Sequence, residues 1–307
     1  MSDRSILRTL PALAAFAVLQ LPPLLYVSTV HAGLTHEWPA DGDALDAVGD
    51  ADGTLSGGTT FGQGLFDEAF VFDGVDDEVS FGQTAGNFGN SDFTIAFVIR
   101  TTSTGVVEGV LGKRSVCAFG SFWDIRTRGH GDLSLEVYET DTNLGTTTTR
   151  PINDGLFHTV VFTREGTVMR SYVDGFLDQE IDRGTAANVS NDASLVAGTS
   201  ACTAQDQTIH FTGTLDEIRL ANTADKDLLP PFFHCGDANR NASITATDAL
   251  DALQTAVGLE TCDFCLCDAN GSGGISAGDA LLILKFAVAQ PVARLCPICE
   301  VELPGVG

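Results

Sequence analysis

Two stretches near the C-terminus hold the residues best suited to chemistry. CGDANRNASITATDAL starts at Cys235 and CDANGSGGISAGDAL at Cys267, and their acids recur at a spacing of 31. Calcium takes about six to eight oxygen ligands, and a twelve-residue loop can supply them from positions 1, 3, 5, 7, 9 and 12. In the first stretch Asp237, Asn239 and Asn241 occupy positions 1, 3 and 5. The Ser243 carbonyl falls at 7, Thr245 at 9 and Asp248 at 12. In the second the same roles fall to Asp268, Asn270, Ser272, the Gly274 carbonyl, Ser276 and Asp279. Ile244 and Ile275 take position 8, where a short β-contact would join the loops. The same residue types cap helices, so the pattern also admits two capped helices without an ion. Its duplication in register favours two calcium ions.

Each loop runs into a helical pattern whose apolar positions 249, 250, 253, 256 and 257 follow helical spacing. Position 12 holds Asp rather than Glu, and no helical pattern precedes either loop. Together these features resemble type I dockerin repeats over Cys235 to Cys296. The resemblance implies a calcium-dependent module that binds a cohesin-like protein. Its contacts would be Ala246, Thr247 and Gln254 on one helix, or Ala277, Gly278 and Lys285 on the other. Ala242 departs from the pattern at the sixth loop position, where the second loop has Gly273 and a tight turn favours glycine. Six cysteines (Cys235, Cys262, Cys265, Cys267, Cys296 and Cys299) are extra to it. In an exported chain they read as disulfides whose pairing the sequence leaves open. Zinc held by Cys262, Cys265, Cys296 and Cys299 is the alternative. So small a unit buries little apolar area, which gives covalent staples a purpose.

Upstream, from about Gly33 to Thr223, helical periodicity gives way to alternation. In FTIAFVIR, Phe93, Ile95, Phe97 and Ile99 share one face, with Thr94 and Arg100 on the other. HTVVFTRE, DLSLEVYE, QTIHFTG and TLDEIRLA read as strands, and TVMRSYVDGFLDQEI as a hairpin turning at Asp174-Gly175. Short strands between Gly, Asp, Asn and Thr clusters predict a mainly β, antiparallel sandwich. Cys117 and Cys202 read as a bridge between its loops. Taken in order, EWPADGDALDAVGDADGTLSGG, AFVFDGVDDEVSFG, SDFTIAFVIRTT, DGLFHTVVFTREGTVMRSYVDG and GTLDEIRLAN resemble the concanavalin A-like, laminin G-like jelly-roll family. Where that family often has Trp before the His of the late strand, this chain has Phe157-His158. The resemblance implies two curved sheets that bind a glycan or surface ligand. It also implies a structural calcium tying the N-terminal loop to the last strand through Asp46 and Asp216. On their own residue types, Asp46 would cap a turn and Asp216 would sit exposed on a strand.

Catalysis is not expected from this half. Laminarinase-type members carry Glu-x-Asp-x-x-Glu on one strand, and the chain has no such run. Glu136 and Glu139 of EVYETD would face opposite sides of a regular strand. His158 has no acid or nucleophile pattern beside it and reads as a strand residue. Ligand specificity is expected in loops such as TTSTGVVEG and YETDTNLGTTTTR.

A net charge of -25 argues against nucleic acid, since phosphates would meet a repelling surface. Arg4 and Arg8, the apolar LPALAAFAVLQLPPLLYVSTV and Val30-His31-Ala32 form a signal-peptide pattern over residues 1–32. Pro11, Pro22 and Pro23 argue against one membrane helix there, so the mature chain is expected to be exported and not membrane-spanning. The expected order is then a jelly roll over 33–225, a linker over 226–233 holding Pro230 and Pro231, the dockerin-like unit over 234–301 and a tail over 302–307. This organisation predicts a bacterial binding protein, secreted or at the cell surface. Its jelly roll would recognise a glycan or surface ligand and its calcium module would attach it to a protein. A component of a polysaccharide-degrading system and a purely structural surface protein are the alternatives.

Overall fold

The computed structural model describes residue 31 and residues 33–205, 207–229, 235–240, 244–288, 290, 292 and 296. Its strands begin with β1 (Leu34–Trp38), β2 (Thr54–Ser56), β3 (Thr60–Gln63), β4 (Glu68–Asp73) and β5 (Glu78–Ser80). Next come β6 (Phe93–Arg100), β7 (Glu108–Lys113), β8 (Phe122–Thr127), β9 (Leu133–Tyr138) and β10 (Thr146–Thr147). Then follow β11 (His158–Glu165), β12 (Val168–Val173), β13 (Phe176–Asp182), β14 (Leu195–Ala197), β15 (Ile209–His210) and β16 (Thr212–Ala221). Three short helices close the described chain: α1 (Ala246–Ala256), α2 (Phe264–Cys267) and α3 (Ala277–Ala287). One sheet runs β13-β12-β11-β6-β16-β4-β3, with β1 also on β16. The other runs β10-β9-β8-β7-β14-β5-β2, with β15 parallel to β7. The remaining pairings are antiparallel, as the alternating sequence predicts for a sandwich.

Alternation explains what lies between the sheets. Phe93, Ile95, Phe97 and Ile99 of β6 join Val160 and Phe162 of β11 and Trp123, Ile125, Leu135 and Val137 of β8 and β9 in one core. The buried indoles keep their N–H groups paired, Trp38 to the Ala51 carbonyl and Trp123 to that of Gly86, both at 2.9 Å. The other face of β6 is also buried: Ala96 and Val98 pack with Val161, Tyr172, Leu228 and Leu229. Thr94, on this second face, is therefore sealed and donates to the Thr223 carbonyl at 2.6 Å. The hairpin turns at Asp174 (φ 53°) and Gly175 (φ 81°), the left-handed pair that a two-residue turn requires.

Strand β16 departs from regular pleating between Asp216 and Arg219, where its register on β6 shifts and Glu217 takes φ 51°. A bulge of this kind lets Leu215 and then Ile218 and Leu220 all reach the core. Asp216, opposite Val98 on the other face of the sheet, is fully buried rather than exposed because the Leu65 and Phe66 backbone closes over it.

The helical unit corrects the expected packing face. Ala249, Ala252, Cys267, Ala269, Ala280 and Ile283 form its core. Leu250, Leu253 and Val257 face solvent, as do their repeat mates Leu281, Leu284 and Val288. The inward face of the two helices is thus mostly alanine, with Ile283 the one large aliphatic side chain fully buried there among the described residues. Ile244 and Ile275 lean on this core. A short helix, α2, does precede the second loop, contrary to the sequence expectation. No helix among the described residues is long and apolar enough to cross a membrane. Of the expected leader only His31 is described, with its ring hydrogen-bonded to Asp225; linker residues 230–233 and the whole tail lie outside the described residues.

His158, which the sequence left without a nearby acid, lies between two. Its Nδ1 is 2.9 Å from Asp174 and its Nε2 3.1 Å from Asp154. Burial alone would lower its pKa, but the hydrogen bonds to Asp154 and Asp174 and their charges outweigh it and raise it to about 9. A folded value above the unfolded one, about 6.5, stabilises the fold fully below pH 6.5, and that contribution is lost as pH climbs through 9. Comparing the parent with His158→Gln across pH 6 to 10 isolates this contribution from other titrating groups. Their melting temperatures should differ most near pH 6 and converge above about pH 9; a constant difference would refute the clamp.

Candidate functional site

The core dictates the outer face of the second sheet. With Trp123 and Ile125 of β8 and Leu135 and Val137 of β9 pointing inward, the intervening Asp124, Arg126, Glu136 and Tyr138 point away from the core. Asp124 and Glu136 are direct cross-strand partners. Arg126 links them, Nε to Asp124 at 2.9 Å and Nη2 to Glu136 at 2.7 Å. Arg114 adds a bond to Glu136 at 3.0 Å and lays its guanidinium 3.8 Å over the Phe122 ring. Ser200 donates to Asp124 at 2.7 Å. Burial pushes the Asp124 carboxyl up, against the pull of Arg126 and Ser200.

Two clefts share Arg114 on this face. The larger, about 630 Å³, is lined by Glu78, Arg114, Ser194, Thr199, Ser200, Thr203 and His210 among others. The smaller, about 390 Å³, is lined by Arg114, Phe119, Arg126, Glu136, Tyr138 and Gln207, with the Cys117–Cys202 disulfide in its wall. Phe119 is 68% exposed and its ring lies 6.0 Å from that of Tyr138, which stacks on Phe122 at 4.9 Å. The arrangement offers an apolar shelf beside charged groups held rigid by one another, a combination suited to a ligand with both apolar and hydroxylated faces. From sequence, Tyr138 falls in an expected specificity loop and Glu136 is weighed only as a catalytic acid and set aside; Arg114, Phe119, Asp124 and Arg126 are missed. The signal available was FWDIRT, whose Asp and Arg alternate with core residues. Glu139 lies beyond β9 and accepts a bond from the Asn188 amide.

Asp46 and Asp216 have different surroundings. Asp46 accepts from the amides of Glu37, Val48, Gly49 and Ala51 and from the His36 ring. Both its oxygens are thus occupied in organising its own turn. Asp216 accepts the Leu65 and Phe66 amides through Oδ2 at 2.8 and 3.2 Å, while its buried Oδ1 meets no donor. Burial raises its carboxyl to about 7, with Glu217 and Asp41 adding to the effect. Asp41 is thus an acid of the N-terminal loop whose charge bears on Asp216.

In the helical unit Asp237, Asp248, Asp268 and Asp279 are all fully buried. Asp248 and Asp279 close capping boxes with Thr245 and Ser276. Their other oxygens accept the amides of Asn239 and Asn270, at 3.2 and 3.0 Å. Asp268 accepts the amides of Ser272 and Gly273. Asn270 Oδ1 is buried with no donor. Ser272 donates to the Gly274 carbonyl at 3.2 Å. Gly273 has φ 87°, the left-handed turn expected at loop position 6. Asn241, Ala242 and Ser243 lie outside the described residues. Ala246, Thr247, Ala277 and Gly278 are exposed, Gln254 and Lys285 partly so.

Cys235 pairs with Cys296 and Cys262 with Cys267, which removes the four-cysteine zinc alternative. Cys265 is disulfide-bonded as well, and Cys299 lies outside the described residues.

The family model for the concanavalin A-like lectin/glucanases superfamily matches residues 72–226. No curated protein matches the chain. Among solved structures, domain 4 of AbnA, an extracellular arabinanase of Geobacillus stearothermophilus solved with arabinotriose, is similar at a TM-score of 0.54 and 15% identity. That likeness covers 64% of this chain and 95% of that domain. The binding domain of Paraclostridial Mosquitocidal Protein 1 is similar at a TM-score of 0.51 and 13% identity, and covers 64% of this chain. The receptor binding domain of botulinum neurotoxin D is similar at 0.50 and 10% identity, again over 64% of this chain. This chain spans half the length of each of the last two. At such identities the likeness is one of fold.

The outward network depends on a glycine. Gly112 lies opposite Asp124, and a Cβ there would sit 2.4 Å from Asp124 Oδ1. Gly112→Ala should therefore displace the carboxylate and destabilise the fold by about 1–3 kcal/mol, measured by urea unfolding. Unchanged stability would show that the network yields without cost.

Proposed function

The chain belongs to the concanavalin A-like lectin/glucanases superfamily, and from that premise we propose that it is an exported protein that binds a glycan on the outer face of β8 and β9. The observation that carries this reading is the smaller cleft, where exposed Phe119 stands beside Tyr138 and the fixed polar groups Arg126, Glu136 and Gln207. Aromatic faces stack on the apolar side of a sugar ring, and planar charged groups take its hydroxyls. The arabinotriose in the similar arabinanase domain is consistent with a glycan ligand. Bonded cysteines support export to an oxidising compartment. The face is a binding site rather than a catalytic one: Asp124 is fully buried and both acids are held by arginine. A glycan array probed with the full chain should give a defined set of ligands, and Phe119→Ala should weaken them by about tenfold, roughly 1.4 kcal/mol. Equal binding by that variant would overturn the site; reducing-sugar release from a bound polysaccharide would favour an enzyme.

The C-terminal loops serve as a calcium-dependent attachment module for a cohesin-like protein. What supports calcium is the donor set: oxygen ligands only, buried acids, and Asn270 Oδ1 left without a donor. The exposed Leu250, Leu253 and Val257, repeated at Leu281, Leu284 and Val288, add an apolar strip to the contact positions named from the resemblance. In the jelly roll, the donor-free buried oxygen of Asp216 suits a structural calcium, whereas both oxygens of Asp46 are taken up by its own turn. Two carboxylates per loop imply weak affinity, on the order of 10⁻⁵–10⁻³ M. The first loop should be the weaker, because Arg240 must hold φ 58° where the second loop has Gly271 at φ 64°. Titration calorimetry giving nanomolar binding at both loops, or none at either, would reject this.

A further inference from the structure

The turn between β4 and β5, DGVDD, gathers three carboxylates outside every site described above. One carboxylate oxygen from each of Asp73, Asp76 and Asp77 lies within 4.8 Å of the others. Asp73 and Asp76 are exposed, whereas Asp77 is only 3% exposed. Asp77 Oδ2 accepts the Asp73 amide at 2.7 Å, and Asp73 Oδ1 accepts the Val75 amide at 2.8 Å. Asp77 Oδ1 is buried and meets no donor. Among the described residues no salt bridge reaches any of the three.

This arrangement is unfavourable as it stands. A buried carboxylate oxygen without a donor or counter-ion carries its full desolvation penalty, and three negative groups so close repel one another. A hard cation removes both difficulties. The donors are all oxygen, with no imidazole or thiolate, which selects calcium or magnesium over softer metals. Two of the three carboxylates are open to solvent, which suits calcium's larger and more adaptable shell, completed by water. The facing turn between β2 and β3 keeps the space clear. Gly57 and Gly58 take φ 75° and 131°, and a Cβ at 58 would stand 3.2 Å from Asp77 Oδ1. A Cβ at 57 would fall 1.9 Å from the Asp76 carbonyl, so the two turns approach as closely as backbone allows.

We propose that Asp73, Asp76 and Asp77 form a calcium site in which the open oxygen of Asp77 is the inner ligand and the two exposed acids close the shell from the solvent side. The ion fixes the turn that leads into Glu78, on the wall of the larger cleft. It is separate from the C-terminal loops and from Asp216.

The test uses the full chain, stripped with chelator and re-equilibrated with calcium, with bound metal counted by equilibrium dialysis. Asp76→Ala should bind one calcium fewer than the parent, and Asp77→Asn, which keeps the shape of the turn, should lose the same one. Asp50→Asn, an exposed acid elsewhere, should lose none. A chain carrying Asp248→Ala and Asp279→Ala should keep this equivalent while losing those of the C-terminal loops, so failure here and failure there are told apart. Terbium soaked into crystals should give an anomalous peak in contact with the three carboxylates. Unchanged stoichiometry in Asp76→Ala and Asp77→Asn, or terbium peaks elsewhere with none at this turn, would overturn the proposal.

Discussion

The two sheets meet through side chains that cannot face water, and the direction of every other strand residue follows from that contact. Trp38, Phe70, Phe81, Phe93, Phe97, Trp123 and Phe162 are sealed between them, each contributing on the order of 2 kcal/mol or more by leaving solvent. Because side chains alternate along a strand, burying Trp123, Ile125, Leu135 and Val137 obliges Asp124, Arg126, Glu136 and Tyr138 to emerge together on the other side. The polar face is thus a consequence of the apolar one. A residue slip in β8 would exchange the two sets and destroy both.

Acidity on this scale brings carboxylates into buried positions, and the fold satisfies them in distinct ways. Asp46 is saturated by backbone amides of its own turn and by His36. Asp174 takes the His158 ring and the Thr159 amide. Asp124 leans on Arg126 and Ser200. Asp124 nevertheless keeps one buried oxygen without a donor, as do Asp77, Glu108 and Asp216, and Asn270 does so in the helical unit. Buried polar atoms are almost always paired in folded proteins, so these five positions mark where the protein's own donors run out.

The helical unit shows the same economy at smaller scale. Its core is largely alanine and half-cystine, far too little apolar area for independent stability. Disulfides supply what packing does not: Cys235–Cys296 ties the start of the first loop to the segment after α3, and Cys262–Cys267 braces α2. Asp248 and Asp279 have two duties, since the carboxylate that completes a capping box also stands at the twelfth loop position. Helix capping and ion binding are therefore compatible readings of one residue. They are not rivals.

The sandwich, its strand positions, the Asp174-Gly175 hairpin and the repeated loops were legible in the chain alone, because period-two alternation, turn chemistry and internal repetition are local properties. The Cys117–Cys202 bridge was legible too, as the cysteine pair upstream of the crowded six. What the sequence could not reveal depended on partners distant along the chain. Asp216 proved buried rather than exposed because Leu65 and Phe66, far away in the chain, close over it and donate their amides to it. His158 has Asp154 four residues upstream but gains its second acid, Asp174, from a hairpin that only the folded sheet brings to it. Leu250, Leu253, Leu281 and Leu284 faced outward while Ala249, Ala252, Ala280 and Ile283 took the inside, a choice among apolar positions that helical spacing leaves open. Arg114, Arg126, Asp124 and Glu136 became one network only when β8 and β9 paired in register and the loop holding Arg114 folded over them. Spacing along the chain determined which residues share a face; only the packing of one element on another decided what each face meets.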